Sequence, residues 1–146
     1  KDLMACCESK TIHLIQGDAL TLPIKDNSFD VVIATAIIEH VSDPIQLIRE
    51  ASRVLRGNGI FIVTTPHPFW EGIATYIGHL KKEEHHELIT LRKLISLFNT
   101  AGFEIVNAEQ FMISPIGMPF ELTLEKILKF FRLNFLLLNQ IIVGRK

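Results

Sequence analysis

The chain has 146 residues, 48% of them hydrophobic and 21% charged, with 15 Lys plus Arg set against 16 Asp plus Glu. A chain of this length buries roughly 68–70% of its unfolded surface in one domain, and its apolar content excludes a disordered polymer. The formal net charge of −1 excludes attachment to nucleic acid through bulk positive charge.

The opening Lys1-Asp2 is not followed by the apolar run and cleavage site of a secretory signal. The only cysteines, Cys6 and Cys7, are adjacent, and sequence neighbours rarely reach disulfide geometry. Both features point to a reducing, cytoplasmic setting. Ile12, Leu14 and Ile15 then form a β-leaning run over Thr11–Gln16 that stops at Gly17-Asp18. The next run, Phe29 to Thr35, is almost continuously apolar, the pattern of a strand covered on both faces in a parallel sheet.

A helix is marked by Asp43 as N-cap, Pro44 at the first position and Gln46 in a capping-box variant. Ile45, Ile48, Ala51, Ser52 and Leu55 recur at helical spacing, Arg49, Glu50, Arg53 and Arg56 can face water, and Gly57 or Gly59 is the expected C-cap. Ile60 to Thr65 reads as a second buried strand, stopped by Pro66. Thr90 caps a further helix whose Leu91, Leu94, Ile95 and Phe98 share a face and which Gly102 ends; a strand follows from Phe103. An amphipathic helix near Leu122 to Phe131 and a closing strand, Gln140 to Lys146, complete an alternating α/β order. Leu122 to Val143 is long enough to span a bilayer, but Glu125, Lys126, Lys129 and Arg132 interrupt it and argue against membrane insertion.

Ligands of open α/β sheets bind outside the carboxyl ends of the strands. That rule selects Gly17-Asp18-Ala19, Thr35-Ala36 and Thr64 to His67. Asp18 either accepts hydrogen bonds from a ligand or stabilises a tight turn.

The stretch from Gly17 to Pro66 carries, in order, Gly-Asp-Ala, Leu-Pro, Ser-Phe-Asp-Val-Val, Glu-His-Val, Asp-Pro and Arg-Val-Leu with a two-glycine turn. In this it resembles the S-adenosylmethionine-dependent methyltransferases of the Rossmann-like superfamily, in the branch that includes quinone-biosynthesis C-methyltransferases. Leu97 to Val106 and the closing residues fit the same pattern, so the resemblance covers nearly the whole chain. It implies a sheet that is mostly parallel with a last antiparallel strand, and transfer of a methyl group from S-adenosylmethionine to a small-molecule acceptor. It also implies that Asp18 receives the adenine amino group, that the Ala19 amide meets an adenine ring nitrogen, and that Thr35 and Ala36 line the floor under the methionine moiety. Asp30 and His40 are expected in structural roles.

The family's glycine-rich cofactor loop has no counterpart in these residues. Gly57-Asn58-Gly59 follows a helix, not a strand, and is expected to cap it. The expectation is therefore a single methyltransferase domain, residues 1–146, lacking the first βαβ unit and inactive alone. Thr11–Gln16 would then stand two empty strand slots, about 14 Å, from Phe29–Thr35. The alternative is a non-catalytic binding or scaffold domain of the same fold.

Acceptor-side candidates are His67, Trp70, Glu71, His79, His85 and His86. Adjacent His85-His86 cannot share a helix face and no His-Glu-x-x-His is present, so a solvated loop is favoured over a metal site. Phe69-Trp70 could wall an apolar substrate. Pro115 to Leu138 is either a cover over the pocket or a helix packed on the sheet, and Lys126, Lys129 and Arg132 leave open a contact with lipid.

Overall fold

The computed structural model describes residues 12–70, 89–112 and 120–146. Glu71, His79, His85 and His86, and the cysteines Cys6 and Cys7, lie outside the described residues.

Strand β1 (Phe29–Thr35) leads through a turn to helix α1 (Pro44–Val54), which runs directly into β2 (Leu55–Pro66). Helix α2 (Leu91–Thr100), strand β3 (Glu104–Phe111), helix α3 (Glu121–Phe130) and strand β4 (Asn139–Arg145) follow. The sheet order is β1-β2-β4-β3. β1 and β2 are parallel, and β4 is antiparallel to both its neighbours. Three strands thus share one direction and the last is inserted against them, as the resemblance implied.

Both long helices form where the capping residues indicated. Asp43 accepts from the Gln46 amide at 3.1 Å and Thr90 from the Lys93 amide at 3.3 Å. The Gln46 side chain does not complete the capping box, because its amide donates instead to Leu20 O at 3.3 Å. Leu47, Ile48 and Ala51 of α1 and Leu94 and Phe98 of α2 pack on one face of the sheet around Phe61, Val63 and Ile142. The Phe61 and Phe98 rings stack with centroids 5.3 Å apart.

Four expectations need correction. No strand forms over the described part of Thr11–Gln16: residues 12–17 are exposed and outside any ladder. β1 is covered on one face only. Val32 and Ala34 pack against the core, whereas Val31 and Ile33 are exposed on the edge strand of the described sheet. Gly57 and Gly59 do not cap α1. Leu55 is the C-cap, and both glycines lie inside β2, where the register slips against β1 between Phe29↔Leu55 and Val31↔Ile60. That bulge needs glycine at 59, since a Cβ there would stand 2.9 Å from Arg56 O and 3.2 Å from Asp30 O. Finally, Glu50 does not face water. It is buried and forms an ion pair with Arg53 at 2.6 Å.

Candidate functional site

The strand directions assemble a rim. Thr35 of β1 is paired with Thr64 of β2, while Pro66 at the end of β2 is paired with Asn139 at the start of β4 and Asn139 with Phe111 at the end of β3. The carboxyl ends of β1, β2 and β3 therefore open on one edge. The connection between β3 and β4, with α3, leaves from that same edge.

On the β1 side, residues 17–26 fold back against α1. A Cβ on Gly17 would lie 2.7 Å from Pro23 Cδ, so only glycine lets the loop close this tightly. Asp18 Oδ1 accepts from the Leu20 amide at 2.9 Å. The turn role expected for Asp18 is thus observed, and its second carboxylate oxygen has no partner among the described residues. Arg53 clamps the loop, donating to Leu22 O at 3.1 Å, to Ile24 O at 2.8 Å and to the Asp26 carboxylate. Glu50 accepts from the Leu22 amide at 2.8 Å. The Arg53 hydrogen bonds hold the Glu50 carboxyl below its ordinary range against the opposing effect of burial, and Glu50 and Asp26 raise the guanidinium in turn.

This clamp sets Ala19 opposite Thr35. Together with Leu22, Ile37, Leu47 and Phe61 they line a cavity of about 320 Å³. The lining is mostly apolar and suits the face of a flat ring better than a charged group. Next to it, Ala36 adopts a left-handed φ of 48° while its amide donates to Thr64 O at 2.9 Å. Strained alanine at a strand end is the local conformation that functional turns store. Asp30 takes the structural place expected of it, accepting from Arg56 through both oxygens at 2.9 and 2.7 Å. His40 is exposed, and its amide closes the turn on Ile37 O at 3.0 Å.

On the β2 side, buried Thr65 donates to Glu39 Oε2 at 2.9 Å. Glu39 is itself 1% exposed, and its Oε1 has no partner among the described residues. Gln140, also buried, donates to Pro66 O at 3.2 Å and to Ile89 O, tying β4 to the end of β2. His67, Arg92, Thr90, Gln110 and Gln140 line a second cavity of about 300 Å³. Burial lowers the His67 pKa, and its Nδ1 accepts from the Phe69 amide at 3.2 Å. A neutral ring whose Nδ1 accepts carries its proton on Nε2. Trp70 packs edge-on against Phe69 with centroids 5.4 Å apart.

Glu39 and Gln140 were not among the site residues expected from sequence. The available signal was a polar side chain bordering an apolar run, Glu39 after Ile37-Ile38 and Gln140 before Ile141-Ile142, since such a group must either reach water or find a partner.

Residues 2–63 match the family model described as a methyltransferase domain. A Mycolicibacterium smegmatis protein named as a probable S-adenosylmethionine-dependent methyltransferase is 35% identical over 96 residues, which are 64% of this chain and 36% of that protein. Demethylmenaquinone methyltransferase of Staphylococcus haemolyticus is 30% identical over 122 residues, covering 68% of this chain and 51% of that one. The chain thus spans between about a third and a half of these curated relatives. Among solved structures, an S-adenosylmethionine-dependent methyltransferase of Mesorhizobium loti superposes with a TM-score of 0.69 at 20% identity, over 98% of this chain and 73% of that one.

Proposed function

We propose that this chain, similar over residues 2–63 to a methyltransferase domain and folded like solved S-adenosylmethionine-dependent methyltransferases, binds S-adenosylmethionine at its rim and directs the methyl group to a small-molecule acceptor. One observation carries the reading: Ala19 and Thr35 line a single cavity that runs along β1 to its last residue, and Asp18, next to Ala19 in the chain, uses one carboxylate oxygen on the Leu20 amide.

The lining fits the nucleoside. Leu22, Ile37 and Phe61 supply apolar contact for a purine ring, and the free Asp18 oxygen can accept from its exocyclic amino group. The Ala19 amide would meet a ring nitrogen, and Thr35 with Ala36 would form the floor beneath the methionine part. When bound, S-adenosylmethionine supplies a methyl group on a sulfonium, already activated for displacement. What remains for the protein is alignment and exclusion of water.

The acceptor would lie across the rim in the second cavity. There His67 would donate from Nε2 and orient the acceptor, Arg92 would offer a cation to an anionic substituent, and Pro68 with Leu91 gives the apolar part of the lining, with Phe69 and Trp70 next in the chain. Of the acceptor-side residues expected from sequence, His67 and Trp70 stay in this reading. Glu71 and His85 would join them from the segment that follows Trp70.

Calorimetry on the full-length protein tests the reading. S-adenosylmethionine and its demethylated product should both bind, and Asp18→Ala should weaken binding about tenfold, the worth of one hydrogen bond. Failure of either ligand to bind at millimolar concentration overturns it, and leaves the fold as a non-catalytic binding domain.

A further inference from the structure

The connection between β3 and β4 presents an apolar surface that the sheet does not cover. Phe120 is 84% exposed, Leu122 74%, Phe130 82% and Phe131 64%. These large side chains were expected either to close the pocket or to pack on the sheet, and they do neither. Helix α3 is instead attached through its polar inner side. Lys129 pairs with Glu109 of β3 and with Glu125, each at 2.7 Å, and Glu125 accepts from the Met112 amide at 3.1 Å. Burial opposes the Lys129 charge, yet the two carboxylates together raise its pKa. The inner face thus consumes its own charges.

The outer face is different. Lys126 and Arg132 are exposed beside Leu122, Phe130 and Phe131, and neither has an acidic partner among the described residues. Bulky apolar side chains flanked by uncompensated cations fit a surface that is oily within and anionic at its boundary. A ten-residue helix is about 15 Å long, half the thickness of a hydrocarbon core, so it can lie on a bilayer but not cross one. Its position is informative as well, because α3 follows β3 at the rim end of the sheet, the end where the cavity lined by His67, Arg92 and Gln140 lies.

We propose that the outer face of α3, with Phe120, Phe130 and Phe131 inserted and Lys126 and Arg132 at the headgroups, docks the protein on an anionic lipid surface with the rim turned toward the bilayer. The inference goes beyond methyl transfer and stands without it, since docking needs no methyl donor.

Flotation of the full-length protein with vesicles tests it, with no S-adenosylmethionine present. Vesicles of equal parts phosphatidylglycerol and phosphatidylcholine should carry the protein upward, and pure phosphatidylcholine should carry far less. Lys126→Gln with Arg132→Gln should lower the partition about 30-fold, roughly fivefold for each charge. Phe130→Ser should lower it about tenfold or more by removing one buried ring. Both variants alter exposed positions, and unchanged far-ultraviolet circular dichroism would verify their folds. Absence of binding to anionic vesicles overturns the proposal, as does binding that ignores both variants. Sedimentation showing a dimer that Phe130→Ser dissociates would also overturn it, by assigning the face to a second copy of the chain.

Discussion

The Thr65 hydroxyl donates to Glu39 Oε2 across 2.9 Å in the interior of the rim. Glu39 lies in the turn that follows β1 and Thr65 near the end of β2, so this bond fixes the two halves of the candidate site to each other. It also leaves a buried carboxylate dependent on one hydroxyl among the described residues. Removing one partner of a buried pair costs more than the bond itself is worth, since the remaining group keeps its desolvation penalty.

Thr65→Val should therefore destabilise the protein by about 2–3 kcal/mol, read as a shift of the urea midpoint without a change in slope. Thr65→Val combined with Glu39→Gln should recover part of that loss, because a neutral amide is cheaper to bury than a carboxylate. A double variant as unstable as the single one would remove Glu39 from this account.

Arg53 should matter beyond the helix it sits on. Arg53→Met withdraws three contacts from the loop between Leu22 and Asp26 and leaves buried Glu50 without its cation. We expect a loss of stability larger than that of removing Asp26 alone, because Glu50 is left buried without its cation, together with weaker S-adenosylmethionine binding as Ala19 loses its support. Asp26→Ala touches only an exposed partner and should cost under about 1 kcal/mol.

The dependence of stability on pH follows from the two carboxylates held low. Hydrogen bonds from Arg53 lower Glu50, and hydrogen bonds from Lys129 and Asn107 lower Glu109, each from an ordinary value of 4.5. A depressed carboxylate stabilises the folded state above its unfolded pKa, and that contribution disappears as pH falls through the folded value. Thermal melts should thus show a marked decline in stability below pH 4.5. In Arg53→Met the decline should be shallower. His67 adds a smaller component of the same sign near its ordinary 6.5, because its lowered pKa makes protonation unfavourable to the fold. His67→Gln should flatten the profile between neutrality and pH 5.

Ala36 tests whether the rim stores strain. Its φ of 48° costs an alanine about 1 kcal/mol relative to glycine. Ala36→Gly should stabilise or leave stability unchanged, whereas Ala36→Val should lose more than about 1 kcal/mol because a branched Cβ is worse still in this region. Equal melting temperatures for the valine variant and the parent would exclude strain at this residue.

Much of the architecture was legible because it rests on local rules. Asp43-Pro44 and Thr90 announced their helices, since a capping side chain acts on amides within three residues of itself. The Val- and Ile-rich runs announced strands for the same reason. The strand at Thr11–Gln16 was misread because a strand is completed by its neighbour, and local pattern does not say whether a neighbour is there. Gly57-Asn58-Gly59 was misread because a C-cap and a bulge ask for the same residue, and only the approach of Asp30 O to Gly59 separates them. Of the candidate site, Thr35 and His67 could be picked from sequence as residues at or just past a strand end, and Asp18 and Ala19 as the turn after an apolar run that forms no strand, whereas Glu39 and Gln140 act through partners 26 to 74 residues away.

By itself the sequence determined the two capped helices, the apolar runs that become β1 and β2, the order in which they come and the ordered motif series from Gly17 to Pro66. These follow from periodicity, caps and turn chemistry, all short-range. Only the tertiary structure decided that Ala19 faces Thr35, that the Glu50 and Arg53 charges point inward to hold a loop, and that the apolar face of α3 is left to solvent. Each of these depends on which surfaces meet in space, and burial is a property of the packed chain that no side chain carries alone.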